Sequence, residues 1–386
     1  MDFLFWANIL ALLFSFFVVG ALLGALLSET VRERLAKLVH PKLLELVKSF
    51  HNPILKPGTN PWTAEAVLNP AAVVLGGRTH LVYRAIGVDG VSRLGYASSL
   101  NGIIFDKRLP YPVYVAQKPR NLPGHIKRYS PMLYPSGGSW GGCEDPRMVI
   151  IDGRVYITFN MFDGWDYIRV AAISIAEEDF MSGQFWKWDG PHILSEPKQI
   201  HKNWVLFPEK IGGKYAILHS IVPKVDIAYR DSIEDIGTTE PYITSWVGAR
   251  GDLPAREDSW DSFVRGAGPP PLKTPLGWLL FYHAIDEQDP GRYKLGAMLL
   301  DLADPTKILY RSMAPVLSPD ESYENHGKPG IVYACGAVIR DGTLYVYYGG
   351  ADKVICVATA PLDSFLNELI AGSRPSLAAM IPAQTA

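Results

Sequence analysis

The chain has 386 residues, and its 37 lysines and arginines against 39 aspartates and glutamates give a formal net charge of −2. This balance offers no basic surface for a phosphate backbone, so we expect no nucleic-acid partner. The 48% hydrophobic content excludes a disordered chain, and three cysteines without metal-ligand spacing exclude a disulfide framework. With 35 glycines and 30 prolines, the composition favours one large all-β domain.

An uncharged stretch of 25 residues, Phe3 to Leu27, lies at the start of the chain. As a helix it spans about 37 Å, enough to cross a hydrocarbon core of about 30 Å. A cleaved signal peptide is the alternative, but it requires a basic start and a shorter apolar run. The stretch therefore predicts a transmembrane anchor over residues 1–28. The lysines and arginines that follow it indicate a membrane-anchored, single-pass protein whose main domain is cytoplasmic.

Residues 29–60 are predicted to form an amphipathic helical linker. Val31, Leu35 and Leu38 share one face of a helix, and Pro41 is expected to begin a second one. Two placements stay open: the linker packs on the main domain, or it lies on the membrane surface.

Five stretches of the remaining chain share one form, an apolar strand, a turn with glycine and a second apolar strand. Their turn glycines recur every 60 to 76 residues and are Gly77, Gly153, Gly213, Gly277 and Gly342. Each stretch predicts a β-hairpin. Five such units without long helices between them predict an all-β fold, a five-bladed β-propeller over residues 61–370, with a C-terminal tail over residues 371–386.

Equivalent positions of successive propeller blades surround one central channel. Near the predicted hairpins these positions carry polar side chains, namely Asn69, Arg84, Asp145, Glu209 and His283. A polar ring at one mouth of the channel predicts a binding or catalytic site.

Asp145 is followed by Pro146 and Arg147, and Glu209 precedes Lys210. Each carboxylate has a structural interpretation, as a turn cap or as a blade-edge ion pair. Two carboxylates that face one channel are also what cleavage of a glycosidic bond requires. One protonates the leaving oxygen, and the other activates water or acts as the nucleophile.

Two further sets of side chains have both a functional and a structural interpretation. Stacking faces for sugar rings, or ordinary core packing, are offered by Trp140, Trp165, Tyr282 and Tyr293. A second set could bind an anion such as phosphate, or could consist of solvated surface groups. It comprises Arg84, Lys202, Asn203, Arg265 and His283.

Specific motifs occur in a fixed order over about residues 50–370: Asn69-Pro70, Gly142-Cys143-Glu144-Asp145-Pro146-Arg147, Leu206-Phe207-Pro208-Glu209-Lys210-Ile211, Gly266-Ala267-Gly268-Pro269-Pro270-Pro271 and Tyr347-Tyr348-Gly349-Gly350-Ala351-Asp352. Together they resemble glycoside hydrolase family 130, which comprises β-mannoside phosphorylases and some related β-mannosidases. The resemblance implies a five-bladed propeller and an inverting reaction, in which phosphate attacks a terminal β-mannosyl residue and α-mannose 1-phosphate is released.

The resemblance also implies roles for single residues. Asp145 matches the general acid, which acts through a sugar hydroxyl. The predicted substrate-binding residues are Asn69, Arg84, Asp352, Glu209 and Tyr293, the first three by the resemblance. The predicted phosphate-binding residues are Lys202, Asn203, His283 and Arg265.

Two departures from the family pattern concern phosphate. The chain has Leu218-His219-Ser220 where the phosphorylases usually have Leu-His-Arg. It also has Val264-Arg265 where they usually have Lys-Ile, so that Val264 takes the position of the lysine. One cation is lost, and a second is lost or replaced by Arg265, which weakens phosphate binding. A hydrolase with Glu209 or Asp261 as the base, an enzyme for another sugar, and a non-catalytic binding module therefore stay open as alternatives.

We thus expect an enzyme that cleaves terminal β-mannosidic bonds of manno-oligosaccharides. Neither a cofactor nor a metal is expected, and inorganic phosphate is the expected co-substrate. The expected partners are a β-manno-oligosaccharide or mannosylated glycoconjugate and the membrane, and a homo-oligomer is left open. Residues 106–140 and 221–262 are expected to form the rim that selects the substrate.

Overall fold

The structure is a computed structural model, and it describes residues 44–116, 139–164, 168–195, 200–222, 224–233 and 259–373. These residues belong to one compact unit that begins at Leu44. They consist almost entirely of antiparallel strands joined by short turns, which confirms the all-β prediction.

The first sheet contains eight strands and covers the first half of the domain. Its strands are β2 (Ala66–Leu75), β3 (Arg78–Ile86), β4 (Val91–Ser99), β5 (Lys107–Arg108), β6 (Gly141–Ile151), β7 (Arg154–Phe162), β8 (Arg169–Ala176) and β9 (Asp189–Ile193). It consists of two antiparallel groups that meet at one short parallel contact, where Val91 and Ser92 of β4 pair with Gly141 and Gly142 of β6. A short helix, α1 (Glu177–Met181), follows β8.

Three smaller sheets complete the domain. The first has β10 (Val205–Leu206), β11 (Tyr215–Ser220) and β12 (Asp226–Arg230). The second has β13 (Phe263–Ala267), β14 (Leu272–Thr274), β15 (Gly277–Asp286), β16 (Asp289–Leu300) and β17 (Ile308–Arg311). The last has β18 (Val332–Arg340), β19 (Thr343–Gly350), β20 (Val354–Pro361) and the first strand of the unit, β1 (Val47–Lys48), which pairs with β20. Helix α2 (Leu362–Gly372) follows β20.

The central strands are apolar on both faces because neighbouring sheets cover them from both sides. Side chains alternate between the two faces of a strand. In β15, Leu279 and Phe281 pack towards β18–β20, while Trp278 and Leu280 pack towards β10–β12. This double burial explains why the strands read as continuous apolar runs rather than as an alternating pattern.

Hydrophobic clusters join each antiparallel group to the next one in the chain. They lie between β2–β4 and β6–β8, between β6–β8 and β10–β12, between β10–β12 and β15–β16, and between β15–β16 and β18–β20. A further cluster joins β18–β20 back to β2–β4. The inner strands β2, β6 and β18 also contact one another. This arrangement is that of a β-propeller. The count of five blades stays a prediction, because the hydrogen-bonded strands of the described residues form four sheets.

The predicted transmembrane anchor is corrected. In the part of the chain that the structure describes, no helix is long and apolar enough to cross a membrane. The apolar stretch on which the anchor was based, residues 3–27, lies outside the described residues. The anchor, the membrane partner and the membrane-anchored localisation are therefore withdrawn.

The predicted helical linker also differs from the structure where the two can be compared. Residues 44–60 contain no helix, and Val47–Lys48 forms β1 instead. The apolar Leu46 is buried against the last sheet, while Val47 beside it is exposed, an alternation that belongs to a strand. Residues 29–43 and 374–386 lie outside the described residues.

Candidate active site

Two inner strands carry the same irregularity, and it places polar side chains at one end of the ring. In β2 the register shifts between Leu68 and Ala71, and in β6 it shifts between Glu144 and Arg147. The residues in the bulges are Asn69-Pro70 and Asp145-Pro146, whose prolines have no N–H for the ladder. Asn69 and Asp145 have φ angles of 48° and 50°. Bulges redirect side chains, and here they bring these two together.

The Asp145 carboxylate lies at the centre of the candidate site. Its Oδ1 accepts hydrogen bonds from Nδ2 of Asn69 at 2.7 Å and from Nη1 of Arg84 at 3.2 Å, and the residue is buried. Burial alone raises the pKa of Asp145. The charges of Arg84, Lys202 and Arg147 outweigh it and hold the pKa below its ordinary value. In the free protein Asp145 is therefore a carboxylate at neutral pH.

Arg84 connects Asp145 to a second buried carboxylate, Glu144. Nη2 of Arg84 donates to Oε1 of Glu144 at 2.9 Å, and the hydroxyl of Ser139 donates to the same oxygen at 2.8 Å. The other oxygen, Oε2, lies 3.4 Å from Nζ of Lys202. Glu144 thus fixes both a cation at Asp145 and a cation of the neighbouring cavity, because a buried charge requires paired partners.

Arg147 joins Asp145 to Asn203. Its Nη1 donates to the main-chain oxygen of Asp145 at 2.8 Å, and its Nη2 donates to Oδ1 of Asn203 at 2.8 Å. The hydroxyl of Tyr333 donates to the same Asn203 oxygen at 2.8 Å. Asn203 has a φ of 63°, so this contact set holds an asparagine in the left-handed region.

A small cavity of about 40 Å³ lies beside this cluster. Its polar lining consists of Lys202, Asn203, His219, Ser220 and Arg265. Arg265 stands in the bulge of β13, between Val264 and Gly266, and its guanidinium also lies 5.6 Å from the ring centre of Tyr293. Two cations and an amide around one cavity form a suitable environment for a small anion.

His283 lies on β15, next to the same cluster, and is fully buried. Its Nε2 accepts a hydrogen bond from the main-chain N–H of Ala334 at 3.0 Å, and its ring stacks on Tyr333 with centroids 3.9 Å apart. Burial, supported by the charge of Arg147, lowers the pKa of His283 to about 3. The imidazole is therefore neutral, and because Nε2 is an acceptor, the proton resides on Nδ1.

Asp352 belongs to this end of the ring as well. It is buried, it has a φ of 51°, and its Oδ2 lies 3.7 Å from Nζ of Lys328. Burial raises the pKa of Asp352; the charges of Lys328 and Arg84 oppose this shift, and the nearby Asp145 carboxylate adds to it. Asp145 and Asp352 therefore titrate in opposite directions from their ordinary values, a pattern that is typical of catalytic carboxyl pairs.

Three predicted residues have other surroundings. The half-exposed Glu209 forms an ion pair with Lys273 at 2.6 Å, so its structural interpretation as a blade-edge ion pair applies. Asp261 is buried and accepts hydrogen bonds from Tyr282 at 2.7 Å and Arg311 at 2.6 Å. Tyr282 is itself core rather than a stacking face. Trp165 lies outside the described residues, and Trp140 is half-buried.

Sequence reasoning missed four contributors to the site. Glu144, Ser139 and Ser92 surround the guanidinium of Arg84, and Tyr333 holds Asn203. Glu144 stands next to Asp145 in the motif, so the sequence could have indicated that it belongs to the site. Ser139 and Tyr333 had none, because only the packing of distant strands brings them in. Among the described residues no group of three histidine, cysteine or acidic side chains could hold a metal ion.

His201 gives the domain an expected pH dependence of stability. It is buried, and in the described part of the chain neither ring nitrogen has a hydrogen-bond partner. Burial, with the charges of His219 and Arg169, lowers its pKa to about 4. Between this value and the unfolded pKa of about 6.5, only the unfolded chain binds the proton. The free energy of unfolding should therefore fall as the pH falls through that window.

Urea unfolding at pH 7 and pH 5 tests this dependence. The loss of stability between the two should be smaller in His201→Phe than in the wild type. The matched control is His326→Gln, which changes an exposed histidine and should retain the wild-type loss. An unchanged loss in His201→Phe would contradict the assignment.

A buried carboxylate beside a cation-lined cavity, at the bulged end of the ring, is typical of a site for a polar small-molecule ligand that carries negative charge. Residues 45–370 match the family of β-1,4-mannooligosaccharide phosphorylase. A 1,2-β-oligomannan phosphorylase from Thermoanaerobacter sp. (strain X514) is 37% identical over 82% of this chain and 97% of its own length. A β-1,2-mannobiose phosphorylase from the same organism is 33% identical over the same shares.

Solved structures share the fold. One solved structure aligns with a TM-score of 0.64 at 25% identity and covers 82% of this chain and 94% of that one. It is described with the statement that the GH130 family of mannoside phosphorylases contains glycoside hydrolases that target β-1,2 mannosidic linkages in Candida mannan. The β-1,2-mannobiose phosphorylase from Listeria innocua has the same fold, with a TM-score of 0.62 at 22% identity over 84% and 99% of the two chains. The chain belongs to glycoside hydrolase family 130 and is an enzyme of the β-mannoside phosphorylase type.

Proposed function

We propose that this enzyme phosphorolyses terminal β-1,2-mannosidic bonds of manno-oligosaccharides. Inorganic phosphate attacks the anomeric carbon, the bond to the leaving oxygen breaks, and α-mannose 1-phosphate and a shortened oligosaccharide are formed. The observation that carries the proposal is the cavity lined by Lys202, Asn203 and Arg265 beside Asp145. The β-1,2 linkage is supported by the names of the two relatives that cover 82% of this chain.

Arg265 supports phosphate in spite of the two departures from the family pattern. Ser220 takes the place of the usual arginine, and its hydroxyl donates to the main-chain oxygen of Val222. Arg265, one position after the usual lysine, lines the cavity together with Lys202. Two cations therefore line the cavity, and charge-assisted hydrogen bonds to a dianion are the strong ones.

In this proposal Asp145 is the general acid, and it becomes protonated when phosphate binds. The charge of Lys202 is one cause of the low pKa of Asp145. A phosphate dianion bound to Lys202 offsets that charge and raises the pKa, so phosphate and a proton bind together. Asp145 then passes its proton to the leaving oxygen through a sugar hydroxyl. Asn69, Arg84 and Asp352 are the proposed contacts of the mannosyl unit that is transferred.

Water is the competing nucleophile, and its proposed bases lack the necessary surroundings. Glu209 is half-exposed and paired with Lys273, and Asp261 is buried against Tyr282 and Arg311. Neither carboxylate lines the cavity beside Asp145. These contacts favour phosphate over water as the nucleophile.

Incubation with β-1,2- and β-1,4-mannobiose, each with and without phosphate, tests the proposal. We expect α-mannose 1-phosphate and mannose from the β-1,2 compound only when phosphate is present. Lys202→Met should raise the KM for phosphate by about 10-fold or more, because one charge-assisted contact is lost. The matched control is Lys273→Met, which removes the lysine paired with Glu209 and should leave turnover unchanged.

Free mannose formed at the same rate without phosphate would establish a hydrolase and contradict the proposal. Faster turnover of the β-1,4 compound would contradict the linkage alone. The absence of turnover with either compound in both conditions would favour a non-catalytic binding module.

A further inference from the structure

Two consecutive residues at the start of β18 hold two different hydrogen-bonding side chains of the cluster beside Asp145. Tyr333 donates its hydroxyl to Oδ1 of Asn203 and stacks its ring on His283. Ala334 donates its main-chain N–H to Nε2 of the same histidine. Asn203, His283 and this segment lie in three different sheets or loops, so tertiary packing alone brings them together.

The contacts of Asn203 determine how its amide is oriented. Arg147 can only donate hydrogen bonds, so the atom of Asn203 that faces it must be the oxygen. Nδ2 consequently lies on the opposite side, towards Gly266. A Cβ atom placed on Gly266 would lie 3.1 Å from this Nδ2 atom. Asn203 and Gly266 both line the cavity of about 40 Å³. The amide N–H₂ group is therefore presented as a donor at that cavity.

The contacts of His283 determine its tautomer in the same manner. With Nε2 occupied by the Ala334 N–H, the proton is on Nδ1, which is buried and has no hydrogen-bond partner among the described residues. A buried donor without a partner is costly, so the packing around this ring must compensate for it. The stacked ring of Tyr333 covers one face of the imidazole and limits its rotation.

We propose that Tyr333 is a positioning residue for phosphate. It acts through Asn203, whose oxygen it holds so that Nδ2 is presented as a donor at the cavity, and its ring packs on the buried imidazole of His283, which keeps this contact set in place. Tyr333 itself contributes no charge. This inference rests on the proposed phosphorolysis, because it concerns the residues that would position the phosphate for that reaction.

Steady-state kinetics of Tyr333→Phe and Tyr333→Leu, with phosphate and mannobiose varied separately, test this role. Tyr333→Phe keeps the stack and loses one hydrogen bond, so we expect a 3- to 10-fold rise in the KM for phosphate, about the worth of one such bond. The KM for mannobiose should change less than 2-fold. Tyr333→Leu also loses the stack on His283, and a larger rise of about 10- to 100-fold is expected.

Tyr347→Phe is the matched control. Tyr347 is a buried tyrosine of the same sheet, and its hydroxyl donates to the main-chain oxygen of Gly102 at 2.8 Å, away from the cavity. This variant should lose some stability and retain the wild-type KM for phosphate. A second readout is the rise in melting temperature that phosphate causes, which should shrink in Tyr333→Phe and not in Tyr347→Phe.

The possible results separate the two claims. A wild-type enzyme whose turnover does not depend on phosphate overturns the proposed function, and the role of Tyr333 with it. A phosphate-dependent wild type with an unchanged phosphate KM in both Tyr333 variants overturns the positioning role alone. Equal rises in both KM values, or the same rise in Tyr347→Phe, would indicate general loss of packing and overturn it as well.

Discussion

Replacement of Asp145 by asparagine is expected to lower kcat for phosphorolysis by about 10³-fold, because a positioned general acid contributes on the order of 10² to 10⁴. Asparagine has nearly the same shape, and its Oδ1 can still accept from Asn69 and Arg84, the two partners of the Asp145 oxygen. The amide cannot deliver a proton. The fold should therefore persist while turnover is lost. Circular dichroism measures the first, and phosphate-dependent release of mannose from β-1,2-mannobiose measures the second.

The matched control for this change is Asp261→Asn. Asp261 is also buried and also paired with an arginine, Arg311, but its partners are Tyr282 and Ser259 rather than the cluster of Asp145. This variant should be less stable and keep most of its turnover. A fully active Asp145→Asn enzyme would refute the assignment of the acid, and an inactive Asp261→Asn enzyme with native stability would restore Asp261 as a candidate base.

Replacement of Arg84 by methionine is expected to have the largest effect on stability. The guanidinium, 2% exposed, binds Asp145, Glu144, Ser92 and Ser139. Its removal leaves two buried carboxylates short of a partner, and breaking a buried ion pair in this manner costs about 3–5 kcal/mol. Urea unfolding at pH 7 should show a decrease of that size.

The pH dependence of this loss has a defined sign. In the wild type the pKa of Asp145 is lowered, so the carboxylate stabilises the fold above its unfolded pKa and loses that effect as the pH falls through the folded value. Without Arg84 the pKa rises, because the first of the opposing charges is gone. The difference from wild type should thus shrink as the pH is lowered and the carboxyl groups become protonated.

Arg78→Met is the control for the arginine change. Arg78 pairs with Asp106 at the surface, where solvent screens the ion pair, so this variant should lose much less stability than Arg84→Met. A loss in Arg84→Met as small as that in this control would show that the buried network is not stabilising.

The sequence by itself determined the class of fold and the family. Its hairpins, each an apolar strand, a glycine turn and a second apolar strand, predict β7 after β6 and β19 after β18, and the structure confirms them. The prediction of a family 130 enzyme active on β-mannosides is also confirmed. Such features are local, because turn chemistry, strand periodicity and a motif such as Glu144-Asp145-Pro146-Arg147 are written in neighbouring residues.

The surroundings of each site residue were decided only by the tertiary structure. Glu209 and Asp145 occupy comparable places ahead of their hairpins, yet Glu209 pairs with Lys273 and Asp145 with Arg84. Residues 44–60 follow a stretch with helical periodicity, yet β1 forms there because β20 offers an unpaired edge. Tyr333 reaches Asn203 across 130 positions of sequence. Burial, pairing and pKa depend on what packs from distant strands, and no local pattern of residues contains that information.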